Sequence, residues 1–182
     1  MKIIGIVLIL LTVMHGYSAS QTPIQQVEPT ELYERKEGKI VRASAEDVAL
    51  ARTYSSFSEK GPLKDGQRIT ILTAKNLYKV GEEIRIQHIL EATTPGIKVW
   101  VMGPKIIYGE FIDGELVSGR GASPSTYDGL VRESPVADFN YDITKYTFQQ
   151  PGKHMIQWKG GGHEIQGSLG LESNVIQLTI VN

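Results

Sequence analysis

The chain has 182 residues, of which 41% are hydrophobic and 21% charged, a size that suits one globular domain with a sizeable core rather than two. Its 19 basic and 20 acidic residues give a formal net charge of −1 and are mixed along the sequence, which excludes the basic cluster that nucleic acid needs. It has no cysteine, which excludes disulfides, a thiol nucleophile and a lipid-modified cysteine.

The first twenty residues predict a cleavable signal peptide. Lys2 gives a basic start, residues 3–14 form an apolar run, and the small residues Ser18 and Ser20 end the segment, as expected for a cut after Ser20. The run is shorter than the roughly 20 apolar residues of a membrane-spanning helix. We therefore expect an exported protein, periplasmic or extracellular, with no membrane span after cleavage.

Residues 21–66 predict a polar lead-in to the folded domain. Prolines and glycines interrupt this stretch, as is typical of turns and loops. Within it we predict one short helix at residues 45–55. Ser44 is placed to cap this helix, and Asp47 stands at the third helical position, where a carboxylate is favourable.

Residues 67–182 predict an all-β domain. Short runs rich in β-branched and aromatic residues are separated by turn residues at intervals of roughly 8–15 residues. The predicted strands lie at residues 68–73, 83–91, 97–101, 105–111, 141–148, 153–159 and 174–181. The sequence between them does not favour helices, and this pattern predicts a sandwich of two antiparallel sheets.

The alternation of residues within these strands predicts which side chains point inward. In the predicted strand at residues 83–91, His88 shares the apolar face, and Arg85 and Gln87 share the polar one. In the strand at residues 153–159, His154 shares the apolar face. Alternation of this kind is typical of antiparallel strands with one face in water. We therefore expect Arg85 and Gln87 to face solvent and both histidines to face the core.

Three phrases of the sequence resemble bacterial immunoglobulin-like domains. Residues 77–82 read LYKVGE and resemble the opening of such domains, residues 146–158 resemble their penultimate corner and strand, and residues 172–180 resemble their closing strand. Similar phrases occur in the non-catalytic β-domain that accompanies fungal and bacterial Lys-specific metallopeptidases. The resemblance covers residues 69–181 and implies an immunoglobulin-like β-sandwich of about seven strands. Where such domains usually carry tyrosine, this chain has His154.

The pair His163 and Glu164 is a candidate for zinc chemistry. These residues begin a helical zinc-peptidase motif, in which a second histidine follows four residues after the first. Gly167 occupies that place, so we predict no zinc-peptidase site. A metal shared by His88, His154 and His163 is a weaker alternative, because histidines on the inner face of strands are more often hydrogen-bonded core residues.

Calcium is a second candidate metal, because Asp138, Asn140 and Asp142 have the spacing that opens a calcium loop. An EF-hand needs glycine at the next position and glutamate at the end of the loop, but the chain has Ile143 and Gln149 there. The EF-hand is therefore excluded. A weak calcium contact is the alternative to our preferred interpretation, in which these side chains bond the backbone of a turn. No metal and no cofactor are predicted.

The sequence also offers few candidates for catalysis. It contains no Gly-x-Ser-x-Gly nucleophile elbow. Glu110 and Glu115 flank a predicted hairpin turn at residues 113–114. We therefore expect them to be solvated hairpin residues rather than an acid/base pair.

Two loops are long for a compact domain, at residues 116–138 and 160–173. Loops longer than about 12–15 residues are often functional, so we expect recognition there. The candidate binding residues are Arg120, Tyr127, Arg132, His163 and Glu164.

These features together favour an exported, non-enzymatic binding module whose partner is another envelope or secreted protein, or a glycan. Two alternatives stay open. A peptidase inhibitor or accessory domain is implied by the resemblance alone. A metal-dependent enzyme would need a site built from His88, His163 and nearby carboxylates.

Overall fold

The computed structural model describes residues 25–26, 32–101, 103–118, 130–160 and 170–182. Most of these residues form β-strands and one short helix lies among them, so the predicted all-β class is confirmed. The strands are β1 (Gln25–Gln26), β2 (Tyr33–Lys36), β3 (Lys39–Arg42), β4 (Gln67–Leu72), β5 (Leu77–Lys79), β6 (Ile84–Ala92), β7 (Lys98–Trp100), β8 (Glu110–Ile112), β9 (Glu115–Leu116), β10 (Val131–Glu133), β11 (Val136–Asp138), β12 (Thr144–Tyr146), β13 (Gly152–Gly160) and β14 (Leu171–Val181). The helix α1 (Ala45–Arg52) continues into a 3-10 turn at Thr53–Ser56.

Two larger sheets organise these strands. In the first, β6 pairs antiparallel with β4, β11 and β12, and β1 runs parallel to β11. In the second, the order is β5-β14-β13-β8-β9, antiparallel throughout apart from the parallel pairing of β5 with β14. Two smaller antiparallel pairs are formed by β2 with β3 and by β7 with β10.

One hydrophobic core, the inner core, contains side chains from both larger sheets. Its members include Ile69, Ile84, Ile86, Trp158, Ile156, Leu178 and Ile180. Within each strand they stand at alternate positions, as expected when one face of the strand is buried. Burying each aliphatic side chain of this kind contributes roughly 1.5–3 kcal/mol to stability.

The opposite face of β6 is also buried, so the predicted solvent-exposed face is wrong for this strand. Gln87 is buried and Arg85 is only partly exposed. A second cluster, the outer core, covers this face with Leu32, Ala51, Tyr54, Leu72, Ile89, Ala137, Phe139 and Ile143. Residues 32–57 supply the first three of these side chains, and we call this segment the covering layer.

An ion network explains why the covered face looks solvent-exposed in the sequence. The Arg85 Nη2 atom donates to a carboxylate oxygen of Asp47 at 2.7 Å and of Glu34 at 2.9 Å. Lys145 also contacts Glu34, with its Nζ atom 2.8 Å from the carboxylate. The polar positions of β6 therefore mark ion pairing with the covering layer rather than contact with water.

The predicted helix is present as α1, and its cap explains its position. The Ser44 hydroxyl oxygen accepts a hydrogen bond from the Asp47 N–H at 3.1 Å, which satisfies a backbone donor that would otherwise lack a partner. Gln87 donates through Nε2 to the Asp47 carbonyl oxygen at 2.7 Å. The first turn of α1 is thus bonded directly to β6.

Several predicted strands differ from the structure. The predicted strand at residues 105–111 is regular only in β8, because Gly109 has φ of +77° and its backbone lies against Lys159. A Cβ atom at Gly109 would lie 2.1 Å from the Lys159 carbonyl oxygen. The strands β1, β2, β3, β5, β9, β10 and β11, each two to four residues long, were not predicted.

Candidate functional site

The predicted binding residues fall partly on the described chain. Arg120, Tyr127, His163 and Glu164 lie outside the described residues. Arg132 lies on β10, where it is exposed and pairs with Val99 of β7. This strand lies within the long loop in which the sequence predicted recognition.

The β7–β10 pair presents an exposed aromatic side chain. Val99 is buried in the inner core, whereas Trp100, its neighbour on β7, is 40% exposed. Val131 lies opposite Trp100 and is 36% exposed, and Leu130 beside it is 52% exposed. Trp100 and Val131 share one face of the pair, and we call these two side chains the ribbon surface. Arg132 lies opposite Val99 and so points to the other face.

Two hydrogen bonds fix the backbone beneath this surface. Lys105 donates from Nζ to the Trp100 carbonyl oxygen at 2.7 Å. The Val101 N–H donates to the Leu130 carbonyl oxygen at 2.9 Å. Trp100 was missed as a site residue, although the sequence carried a signal: it alternates with Val99 and Val101, which places it on the outer face.

The proposed calcium motif is divided between two places. The Asp138 Oδ1 atom accepts hydrogen bonds from the N–H and Nδ2 of Asn140 at 2.9 and 3.1 Å. Its Oδ2 atom contacts the Lys105 ammonium group. Both Asp138 and Lys105 are buried, and the Lys105 Nζ atom lies 4.2 Å from the centre of the Tyr141 ring. The positive charge that faces Asp138 is therefore an ammonium group.

Asp142 makes a different ion pair. Its Oδ2 atom lies 3.4 Å from Arg35 Nε, and its Oδ1 atom is buried with no hydrogen-bond partner among the described residues. Burial raises the pKa of Asp142 above its ordinary value, although Arg35 opposes the change. Within the residues that the structure describes, no three His, Cys, Asp or Glu side chains are placed to share a metal ion.

Glu110 is buried, so the prediction that it is solvated is wrong, whereas Glu115 is exposed as predicted. Glu110 lies opposite Trp158 of β13, on the inner face of its sheet. Its Oε1 atom is 3.0 Å from His88 Nε2, and it also accepts hydrogen bonds from Thr144 and Tyr146. Burial raises its pKa, but His88 and the two hydroxyl groups outweigh that effect and hold the pKa of Glu110 below its usual value.

The two described histidines belong to separate carboxylate pairs. His88 and Glu110 have no exposed side-chain surface, and the His88 ring meets Trp158 edge-on at 5.2 Å between centres. His154 is only partly buried, with Nδ1 2.7 Å from Asp113 Oδ2 and its ring stacked 3.9 Å from Phe148. The His88 pair joins the two larger sheets, since β6 supplies His88 and β8 supplies Glu110. His163 lies outside the described residues.

Comparison with known proteins gives no match to a family model, to a curated protein or to a solved structure. In the described part of the chain, none of the helical segments has the length and apolar character required to cross a membrane.

Proposed function

We propose that the protein is an exported, non-enzymatic binding module that recognises another envelope or secreted protein through the ribbon surface. The observation that carries this proposal is Trp100, a large aromatic side chain held outward on a strand whose neighbouring residue is anchored in the inner core. Tryptophan is enriched at protein interfaces and in their energetic centres. The ribbon surface places the exposed aliphatic side chain of Val131 beside Trp100.

An immunoglobulin-like sandwich is the frame that we propose for this surface. Three pairings support it: β4 pairs with β6 in one sheet, the following strand β5 pairs with the last strand β14 in the other, and β13 is the antiparallel neighbour of β14. Two facing sheets around one core are the architecture of that fold. Such a frame holds loops and ribbons at its ends in fixed positions.

A non-enzymatic role is supported by the burial of His88 and Glu110 and by the hydrogen bonds that their side chains form. The carboxylate of Glu110 is bonded to His88, Thr144 and Tyr146, and neither His88 nor Glu110 presents a side-chain atom to solvent. These groups stabilise the fold by joining two sheets, which is a structural use of buried polar residues.

The test is a crosslinking pull-down with the full chain, tagged at its C-terminus, against the envelope and secreted fractions of the producing cell. We expect one dominant protein partner, and we expect Trp100→Ala to reduce its recovery by at least about tenfold, as for an interface hot spot. Met155→Ala is the matched control, because Met155 is 52% exposed on β13, which belongs to a different sheet from the ribbon surface.

Three results would change the proposal. Equal recovery by wild type and Trp100→Ala would contradict the ribbon surface. Retention on a glycan array without protein capture would replace the protein partner by a glycan. A peptidase as the captured partner, inhibited by the purified protein, would identify an inhibitor or accessory domain.

A further inference from the structure

The last strand, β14, has an open edge beside β5. In this part of β14 the odd-numbered residues direct their backbone groups toward β5: the Thr179 N–H donates to Asn76 O, and Val181 O accepts from the Val80 N–H, both at 2.8 Å. Because backbone direction alternates along a strand, Val175 and Gln177 direct their N–H and C=O groups to the same side. β5 pairs only with residues 179–181.

Consequently, four backbone groups of β14 have no strand on this side to bond with among the described residues. They are the N–H and C=O of Val175 and of Gln177. Both residues are exposed. This part of the strand pairs with β13, and the even-numbered residues between and beside them direct their N–H and C=O groups toward it, so the strand itself is held in place. An unpaired edge of this kind is a template for another strand.

In contrast, the edge of β4 that faces this part of β14 has its outward backbone groups at Ile71 occupied by a side chain. The Asn174 side-chain amide accepts from the Ile71 N–H at 2.9 Å and donates to the Ile71 carbonyl oxygen at 3.0 Å. Gly61 packs against the next outward carbonyl, that of Ile69, where a Cβ atom would lie 2.0 Å away. The open edge is therefore confined to β14.

A groove of about 320 Å³ lies along this open edge. The residues that line it include Phe57, Glu59, Thr73 and Asn174 in addition to Val175 and Gln177. Phe57 is partly buried and offers an apolar surface, whereas Glu59 is exposed and carries a negative charge. The volume lies within the range of natural ligand sites, roughly 300–1,000 Å³.

We propose that this groove binds an extended peptide segment of a partner protein, which adds to β14 as a short strand. The peptide backbone would bond the free N–H and C=O groups of Val175 and Gln177, as in recognition by strand addition. An apolar side chain of the peptide packs on Phe57, and a basic side chain faces Glu59. The inference rests on the proposed role as a binding module but assigns a second surface, separate from the ribbon surface.

The test uses an array of immobilised random peptides of about ten residues, probed with the fluorescently labelled full chain, followed by solution titration of the best-binding peptide. We expect binding sequences to contain a basic residue near an apolar one. Glu59→Lys is expected to weaken their binding by at least about fivefold through charge reversal. An array on which no peptide binds above background would overturn the proposal.

Gln177 provides the decisive variants. Gln177→Pro removes the outward N–H donor and leaves the hydrogen bonds to β13 intact, because proline is tolerated where a strand N–H is unpaired. Gln177→Ala removes only the side chain and is the matched control. We expect Gln177→Pro to weaken peptide binding by at least about tenfold and Gln177→Ala by less than about threefold. Equal binding by the two variants would contradict strand addition.

Hydrogen exchange tests the same edge in the wild-type chain and does not depend on the folding of the proline variant. The amide protons of Val175 and Gln177 should exchange rapidly in the free protein and at least about tenfold more slowly with the peptide bound. Unchanged exchange at both amides would place the peptide elsewhere. Trp100→Ala should retain peptide binding, so failure of the ribbon surface and failure of this groove give different results.

Discussion

The two faces of β6 differ in what covers them. The inner face contributes Ile84 and Ile86 to an apolar core, with His88 paired to Glu110. The outer face meets the covering layer through apolar side chains and through an ion network centred on Arg85. One strand is therefore buried on both faces although its sequence alternates like that of a half-exposed strand. The alternation of polar and apolar residues along a strand shows which face is polar. It does not by itself show that the polar face is in contact with water.

The carboxylates of the two faces are satisfied differently. On the inner face, Glu110 is bonded by an imidazole and two hydroxyl groups. On the outer face, Glu91 is bonded by the Tyr54 hydroxyl at 2.9 Å and contacts Arg68, while Lys60 lies 3.7 Å away. The inner carboxylate is enclosed between the sheets, whereas the outer ones attach a separate segment of chain to the sheet.

The largest expected effect is the loss of the inner carboxylate. Glu110→Ala leaves the buried His88 and the partly buried Tyr146 without their acceptor, which should lower the free energy of unfolding by roughly 3–5 kcal/mol. Urea denaturation measures this change. Glu115→Ala is the control, because Glu115 is exposed on the same hairpin. A loss below about 1 kcal/mol would mean that solvent reaches the pair.

Removing one isoleucine from each face compares the two cores directly. Ile86→Ala and Ile89→Ala each leave a cavity beside a fully buried site and should cost about 2–5 kcal/mol. We expect Ile86→Ala to destabilise the whole chain. Ile89→Ala should in addition increase hydrogen exchange in the covering layer before global unfolding. If both variants unfold in one indistinguishable step, the covering layer is a full part of the cooperative core.

Arg85→Met tests the outer ion network alone. It leaves Asp47 without its principal cation and should cost about 1–3 kcal/mol, measured by urea denaturation together with limited proteolysis of residues 32–57. Lys79→Met is the matched control, because Lys79 is exposed on the other larger sheet. Proteolysis of residues 32–57 at the wild-type rate would show that the apolar contacts alone hold the covering layer.

The same network predicts a loss of stability in acid. Burial raises the pKa values of Asp47 and Glu34, but hydrogen bonds from Arg85, Ser44 and Lys145 outweigh it, and both pKa values are lowered. A carboxylate whose pKa is lower in the folded state stabilises that state at pH values above the pKa of the unfolded chain, which is roughly 4. That contribution disappears as the pH falls through the folded values. The unfolding free energy of Arg85→Met should therefore fall less steeply in this range than that of wild type.

The smallest expected effect is a gain in the free energy of unfolding. The pKa of Asp142 is raised by burial, so its ionised form destabilises the folded state at pH values above the folded pKa. Asp142→Asn cannot ionise and should increase the unfolding free energy at neutral pH by up to about 1 kcal/mol. Thermal unfolding at neutral pH and near pH 4 should show the gain shrinking in acid. A loss at neutral pH would mean that the ion pair with Arg35 outweighs burial.

The sequence predicted the elements that depend on local patterns. The helix follows from the Ser44 cap, and the hairpin turn at Asp113 and Gly114 follows from turn chemistry, with both residues at positive φ. The burial of Glu110 could not be predicted, because its partner His88 lies 22 positions away and local pattern says nothing of that contact. The covering layer was missed for the same reason: its contacts with β6 are long-range.

The candidate site, too, was predicted from the sequence only in part. The loop at residues 116–138 was chosen by its length, and the structure places Arg132 within it on a paired strand. The prediction missed Trp100, although its alternation with Val99 and Val101 places it on the outer face of β7. The open edge of β14 follows from strand order, which no short sequence pattern specifies.

The Asn174 amide makes one edge of the buried strand β4 dependent on one side chain. It bonds both backbone groups of Ile71, which would otherwise be buried without hydrogen-bond partners. Deamidation would replace the Nδ2 donor with a carboxylate oxygen facing the Ile71 carbonyl oxygen, and the two acceptors would repel. Chemical ageing at this single position would therefore leave the buried Ile71 carbonyl oxygen without its donor and destabilise this edge of β4.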